Sequence, residues 1–270
     1  MPSTNGNFTL EEGGGASRRR KKQRYIIAVV VVTVLMIVVI AVALSVTPSS
    51  PQPGITIYPS DLINYKQGGL ANDYTRILDN FIAPYEVNWN FDGISYKDCN
   101  SNNLPSDEEV CIFQDTWIGD QCKKAERWGY TRSTPCILLT PNKVVDWVPE
   151  VYEELNELPV AMPQDLKDII SNTTADNGGT IPKMVWVWCE AVGPVDREYM
   201  GPLQMSPWHG FPQYYFPYIA YQDEPSYLQP IVALQFRRPM RNVVIALDCK
   251  MWAKNINPNE SVARVELFIE

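Results

Sequence analysis

The stretch that decides the fold class is NVVIALDCKMWA, residues 242–253. It is rich in the β-branched and aromatic residues that are enriched in β-strands. Similar segments recur from about Cys111 onward, separated by polar turns: CILLTPNKVV, KMVWVWCEAV, YLQPIVALQF and ARVELFIE. Several short strands of this kind predict a mainly β domain, built as an antiparallel β-sandwich.

Two short helices are predicted as inserts in this β domain. LANDYTRILDNFIAPY, residues 70–85, places Leu70, Tyr74, Ile77, Leu78 and Phe81 at helical spacing. PQDLKDIIS, residues 163–171, begins with proline, which is typical of a first helical turn. A proline also lies inside the strand-like run 227–236, where Pro230 predicts an edge strand or a bulge.

An apolar segment precedes the β domain. Residues 26–46, IIAVVVVTVLMIVVIAVALSV, are 21 residues without a charge. As a helix they would span about 31 Å, which matches the hydrocarbon core of a bilayer. A secretory signal has a shorter apolar centre. We therefore predict a single transmembrane signal-anchor helix over residues 25–46.

The basic run RRRKKQR lies on the N-terminal side of this helix. The positive-inside rule then predicts a cytoplasmic tail, residues 1–24, and a single-pass type II membrane protein whose C-terminal part lies outside the cell. The run also suits binding of anionic lipid headgroups. A nuclear signal or nucleic-acid binding is the disfavoured alternative, and we expect no nucleic-acid partner.

The chain beyond the membrane segment is acidic. Residues 47–270 hold 17 basic and 29 acidic side chains, a net charge of −12. The first part, residues 47–60, is rich in Pro and Ser near its start and is predicted to form a stalk. Residues 61–270 are predicted to form one extracellular domain.

All the cysteines lie beyond the membrane segment. An even count in an exported domain predicts three disulfides, but the spacing leaves the fifteen connectivities open. A zinc site is disfavoured because no C-x-x-C pair and no histidine cluster accompany them. The six cysteines are Cys99, Cys111, Cys122, Cys136, Cys189 and Cys249.

Three N-x-S/T sequons occur in the chain. Asn172 and Asn259 lie in polar, turn-like stretches of the predicted extracellular part, so we expect both to be glycosylated. Asn7 lies in the predicted cytoplasmic tail and should not be glycosylated.

Enzyme motifs are absent from the sequence. It contains no G-x-S-x-G, no G-x-G-x-x-G and no P-loop. His209 is the only histidine, and beside Trp and Gly it suits a turn or a partner contact better than a catalytic triad. Golgi glycosyltransferases share the predicted topology, but their D-x-D motif is missing. We expect no catalysis, no cofactor, no metal and no small-molecule substrate.

One aromatic segment, QYYFPYIAYQDEPSYLQPIVALQF, spans residues 213–236. Its end has the composition of a core strand. The aromatic side chains before that strand suit either a small core or anchors of a partner interface, where such rings are enriched. The candidate contact residues are Tyr214, Tyr215, Phe216, Tyr218 and Tyr227.

Five segments together resemble the β subunits of the Na+/K+-ATPase and H+/K+-ATPase family. They are VCIFQDTWIGDQC (110–122), WGYTRSTPCILLTPNKVV (128–145), the aromatic segment, IALDCKMWAKNI (245–256) and ARVELFIE (263–270). The resemblance covers nearly all of residues 99–270 with the order of the cysteines intact.

This resemblance implies an immunoglobulin-like sandwich outside the cell. It also implies the disulfides Cys99 to Cys111, Cys122 to Cys136, and Cys189 to Cys249. The implied partner is the α subunit of a P-type ATPase, whose folding, membrane delivery and K+ handling the β subunit supports. The Asp-Lys-Thr-Gly motif that such pumps phosphorylate is absent here, as expected for a non-catalytic subunit.

Two departures from the family pattern leave alternatives open. The membrane segment is nearly all aliphatic, whereas family helices carry aromatic residues. The family's Tyr-Tyr-Pro-Tyr-Tyr-Gly-Lys is replaced by Tyr-Tyr-Phe-Pro-Tyr-Ile-Ala at residues 214–220. A divergent protein with a pump-independent role at cell contacts, and a subunit of an H+/K+-ATPase, are the two alternatives.

Overall fold

A computed structural model describes residues 25–37, 52–60, 62–66, 71–86, 95–106, 109–218 and 227–270. The chain divides into two compact units, Met1–Ser50 and Pro51–Glu270. In the first unit, residues 25–37 form a helix, α1, with exposed side chains. Across the described residues, no helix combines the length and hydropathy needed to cross a membrane. Residues 38–46 of the predicted anchor lie outside the described residues.

The second unit is mainly β. Its described helices are α2 (Asn72–Ile82), α3 (Gln164–Asp176) and α4 (Pro194–Tyr199). Its described strands are β1 (Ile55–Tyr58), β2 (Leu62–Tyr65), β3 (Ser95–Lys97), β4 (Glu109–Cys111), β5 (Cys136–Pro141), β6 (Met184–Ala191), β7 (Leu203–Ser206), β8 (Gly210–Pro212), β9 (Val232–Phe236), β10 (Val244–Trp252) and β11 (Ala263–Ile269).

These strands form two main sheets. One has the order β1-β5-β9-β7 and is antiparallel throughout. The other has the order β2-β11-β10-β6-β8 and is antiparallel except at its edge, where β2 pairs parallel to β11. The prediction of a fully antiparallel sandwich is therefore wrong for the pair of β2 and β11. A three-residue connection takes the chain from β1, at the edge of one sheet, to β2, at the edge of the other.

The two sheets share one hydrophobic core. On β10, Ile245, Leu247, Cys249 and Met251 are fully buried and alternate with more exposed residues. This period of two is the pattern of a strand with one face in the core. All six residues of β5 are buried: the strand lies between β1 and β9, and the helical turns within Lys124–Arg132 pack near it.

A second, smaller core lies under α3. Leu166 and Ile170 of this helix pack with Trp186 and Trp252, which lie opposite each other on β6 and β10. The helix is longer than its sequence motif predicts, because it continues through Asn172 to Asp176. The sequon at Asn172 therefore lies in a helix and not in a turn.

Three other element boundaries differ from the sequence prediction. Strand β1 lies inside residues 47–60, so the folded unit begins before the end of the predicted stalk. Strand β9 begins at Val232, beyond Pro230, which has no N–H to give to a ladder. Helix α2 forms as predicted, but Ile77 is 41% exposed because the buried side is made by Thr75, Leu78 and Ile82.

Three disulfides are present in the second unit. They join Cys99 to Cys111, Cys122 to Cys136, and Cys189 to Cys249. The last pair lies directly opposite on β6 and β10 and closes a separation of 60 residues. This is the pairing that the family resemblance implies.

Candidate functional site

Two of the candidate aromatic residues belong to the core. Tyr215 is 3% exposed, and its hydroxyl donates a hydrogen bond to the carbonyl oxygen of Ile112 at 2.8 Å. Tyr227 is 9% exposed and donates to the carbonyl oxygen of Tyr215 at 2.6 Å. Burial raises the pKa of both phenols. Both rings are buried and stabilise the segment from inside, and both line part of the cavity described below.

Three other candidates lie at the surface with their rings partly exposed. Tyr214 packs against Tyr215 with ring centroids 4.8 Å apart. Partial burial and the nearby Asp98 carboxylate raise the pKa of the Tyr214 phenol to about 12. The ring of Phe216 meets Trp147 edge-on at 5.4 Å. These contacts fix one side of each ring and leave the other side for solvent or a partner.

Tyr218 extends this surface. Its ring meets Tyr227 edge-on at 5.0 Å, and the Lys143 ammonium lies 5.3 Å from the ring centroid. Its carbonyl oxygen accepts the N–H of Asp146 at 3.0 Å. Tyr218 also forms a β-bridge with Val145, which is exposed. The backbone therefore holds this ring in place beside a cation.

Sequence reasoning missed part of this surface. It placed Val145 in a strand, whereas β5 ends at Pro141 and the following residues turn outward. Exposed Val145 and Val148 and half-buried Trp147 lie there, next to the candidate rings. The only available signal was the composition of DWVPE, which has tryptophan and valine among charged residues. We call the combined set the aromatic surface: Val145, Trp147, Val148, Tyr214, Phe216 and Tyr218.

A cavity of about 350 Å³ opens beside the aromatic surface. Its wall combines Tyr214, Phe216 and Val148 with Val110 of β4, and Glu109 stands at the polar side. The Glu109 carboxylate accepts the N–H of Ser106 at 2.9 Å and the Lys97 ammonium at 3.0 Å, and these bonds lower its pKa. Because the cavity walls are largely apolar and the Glu109 carboxylate is already hydrogen-bonded, the cavity suits binding of a protein side chain better than catalysis.

His209 lies just before β8, outside this surface. Its ring stacks on Trp188 with centroids 6.4 Å apart, and burial lowers the pKa of the imidazole. Its Nδ1 atom is buried and accepts no hydrogen bond from the described residues. The backbone carbonyl of His209 accepts the N–H of Val187 at 2.8 Å. The residue is thus packed against the sheet, as a turn residue would be.

Both predicted glycosylation sites of the second unit are exposed. Asn172 lies on the outer side of α3, and Asn259 lies in the turn between β10 and β11. The N–H of Asn259 donates to the side chain of Asn257 at 3.1 Å. Asn7 lies outside the described residues.

Comparison with known proteins gives the family. The sodium/potassium ATPase beta chain family matches residues 25–268. The chain is 36% identical over 211 residues to the sodium/potassium-transporting ATPase subunit beta-2 of Drosophila melanogaster, covering 76% of this chain. It is 33% identical over 197 residues to the subunit beta-1 of the same organism, covering 73% of this chain.

The matched part spans 64% and 59% of the length of these two relatives. A more distant relative, the subunit beta-233 of Anguilla anguilla, is 27% identical over 233 residues, or 80% of this chain and 70% of its own. The family match extends from helix α1 to the last strand, β11. This chain belongs to the sodium/potassium ATPase beta chain family.

Proposed function

We propose that this chain is a non-catalytic β subunit of a Na+/K+-transporting P-type ATPase. It binds the catalytic α subunit, supports its folding and membrane delivery, and modulates its handling of extracellular K+. One observation carries the proposal: the family match runs from α1 through every described strand of the disulfide-bonded unit. The relatives reported above are all named as sodium/potassium subunits, which favours that pump over an H+/K+-ATPase.

We infer that the aromatic surface contacts the α subunit outside the membrane. Rings held on one side and open on the other lose little conformational freedom on binding, and aromatic groups are common anchors of interfaces. Tyr215 and Tyr227 support this surface from the core and line the cavity beside it.

The proposed topology is a single-pass type II plasma-membrane protein. Residues 25–46 form the signal-anchor, the N-terminus is cytoplasmic, and the extracellular part carries glycans on Asn172 and Asn259. The uncharged segment and its preceding basic run support this orientation. Treatment with an endoglycosidase should remove glycans from both sites, and Asn7 should carry none. A glycan on Asn7 would reverse the orientation.

Co-expression with a Na+/K+-ATPase α chain tests the function. We expect the full-length chain to co-purify with α and to increase the amount of α at the cell surface. A matched variant, Tyr218→Ala, should reduce co-purification while the chain still folds. Surface delivery of α that is the same with and without this chain would refute the proposal, and it would favour a pump-independent role at cell contacts.

A further inference from the structure

A second cavity lies beside helix α3, and we call it the α3 cavity. Its volume is about 360 Å³, which is within the range of ligand pockets. Helix α3 contributes Thr173 and Asp176 to its wall, and the aromatic side chains of Trp208 and Tyr214 form another part of that wall. The α3 cavity adjoins the cavity beside the aromatic surface, because Tyr214 lines both of them.

The aromatic part of the wall is held in place by other aromatic rings. Trp208 is half-buried, and the centroid of its ring lies 5.7 Å from that of Trp117 and 6.4 Å from that of Phe113, both in edge-on contacts. Tyr214 is also half-buried and packs on Tyr215. The face of an aromatic ring is electron-rich, so it attracts the weakly positive C–H groups on the flat side of a sugar ring. Two fixed rings in one wall therefore suit a saccharide.

Polar side chains with unused hydrogen-bonding atoms line the same cavity. The carboxylate of Asp176 and the ammonium of Lys183 form no hydrogen bond or ion pair with the described residues. Asn177 donates its Nδ2 hydrogen to the Thr180 carbonyl at 2.8 Å, which leaves its Oδ1 atom as an acceptor. Asn100 accepts a backbone N–H at 3.0 Å with its Oδ1 atom, which leaves its Nδ2 atom as a donor. The hydroxyl and N-acetyl groups of sugars need both donors and acceptors, and this cavity supplies both.

The predicted glycosylation site Asn172 lies next to residues that line this cavity. Asn172 is exposed on α3, Thr173 follows it directly, and Asp176 lies four residues further along the same helix. Residues four apart on a helix share a face, and their Cβ atoms are about 5–6 Å apart. An N-linked glycan begins with a pair of N-acetylglucosamine rings, and a covalent link to Asn172 holds them beside the cavity at a high effective concentration. The cavity thus has a candidate occupant on its own chain.

We propose that the α3 cavity holds the first pair of sugar rings of the glycan on Asn172. This inference rests on the glycosylation of Asn172 proposed above. Trp208 and Tyr214 pack against the faces of the sugar rings, and Asp176 accepts hydrogen bonds from their hydroxyl groups. A glycan held in this way covers two aromatic side chains that are otherwise open to solvent, and its outer branches extend beside the aromatic surface.

The rate of glycan removal from the native full-length chain in detergent tests the proposal. An endoglycosidase that cleaves between the first two N-acetylglucosamine rings acts on a bond that the cavity would cover. Loss of each glycan is followed by mass spectrometry of glycopeptides, with Asn259 of the same molecule as the reference. Each rate is divided by that of the denatured chain, which corrects for differences in glycan type. We expect the native chain to lose the Asn172 glycan about fivefold more slowly than the Asn259 glycan.

Two variants and a matched control identify the cavity as the cause. Asp176→Ala and Trp208→Leu should each bring the rate at Asn172 closer to that at Asn259, because each removes a contact with the sugar rings. The control is Asp168→Ala, which removes an exposed carboxylate four residues before Asn172 that does not line the cavity. This control should keep the slow wild-type rate. Because Trp208 also packs against Phe113 and Trp117, urea unfolding checks that the leucine variant is folded, and Asp176→Ala decides the test if it is not.

Three results would overturn the proposal. The first is equal removal from Asn172 and Asn259 in the native wild-type chain. The second is a slow rate at Asn172 that Asp176→Ala leaves unchanged or that Asp168→Ala raises equally. The third is a chain that carries a glycan on Asn259 and none on Asn172. Co-purification with the α subunit tests the proposed function independently, so a chain that assembles with α but loses both glycans at equal rates would refute this inference alone.

Discussion

Removing the hydroxyl of Tyr215 tests the division of the aromatic segment into core and surface. In Tyr215→Phe the ring keeps its volume, but the carbonyl oxygen of Ile112 loses its donor at 2.8 Å. A protein hydrogen bond contributes about 0.5–1.5 kcal/mol, and a buried acceptor left unpaired costs more than the mean. We therefore expect the free energy of unfolding to fall by about 1–2 kcal/mol.

Tyr218→Phe is the matched control. It removes the same atom from a ring that is partly exposed and whose hydroxyl makes no hydrogen bond within the described ranges. Its stability should stay within about 0.5 kcal/mol of wild type, the usual range for surface changes. Its contribution is expected instead in co-purification with the α subunit, tested by Tyr218→Ala.

The assay is urea unfolding of the full-length chain in detergent, followed by tryptophan fluorescence. Wild type and both phenylalanine variants are compared at the same protein and detergent concentrations. A Tyr215→Phe variant that unfolds at the wild-type midpoint would refute the core assignment. Equal destabilisation by Tyr218→Phe would refute the surface assignment, because a hydroxyl open to water cannot cost that much.

Three further predictions concern other parts of the unit. Replacing Cys189 and Cys249 by Ala should lower stability by about 4 kcal/mol, the chain-entropy value for a 60-residue loop, measured by the same urea unfolding. Gly210→Ala should cost about 1–3 kcal/mol, since a side chain there would collide with the backbone of β6 and the strands must move apart; an unchanged melting temperature would contradict this. The Lys254 ammonium and backbone N–H groups lower the pKa of Glu157 from 4.5 to about 2, so its stabilising effect is complete above pH 4.5 and is lost as the pH falls toward 2. Glu157→Gln should therefore flatten acid unfolding over that interval, as followed by circular dichroism.

Much of the fold followed from local sequence. The strand-like segments 184–191, 244–252 and 263–269 form strands, as their content of β-branched and aromatic residues predicts, and in the last two segments buried residues also alternate with more exposed ones. The run 227–236 forms a strand only from Val232, and its proline was the available sign of that boundary. The family resemblance, not the cysteine spacing, supplied the disulfide pairing.

Sequence by itself determined the mainly β class, the approximate helices and the family, since composition, periodicity and motif order are properties of neighbouring residues. Only the tertiary structure decided which tyrosines are core. Tyr214 and Tyr215 are adjacent in the chain, yet only the buried Tyr215 donates its hydroxyl to the carbonyl oxygen of Ile112, 103 residues away. The β9–β10 loop likewise lies against the end of α4 because a backbone hydrogen bond joins Met240 to Tyr199, a contact that no local pattern specifies.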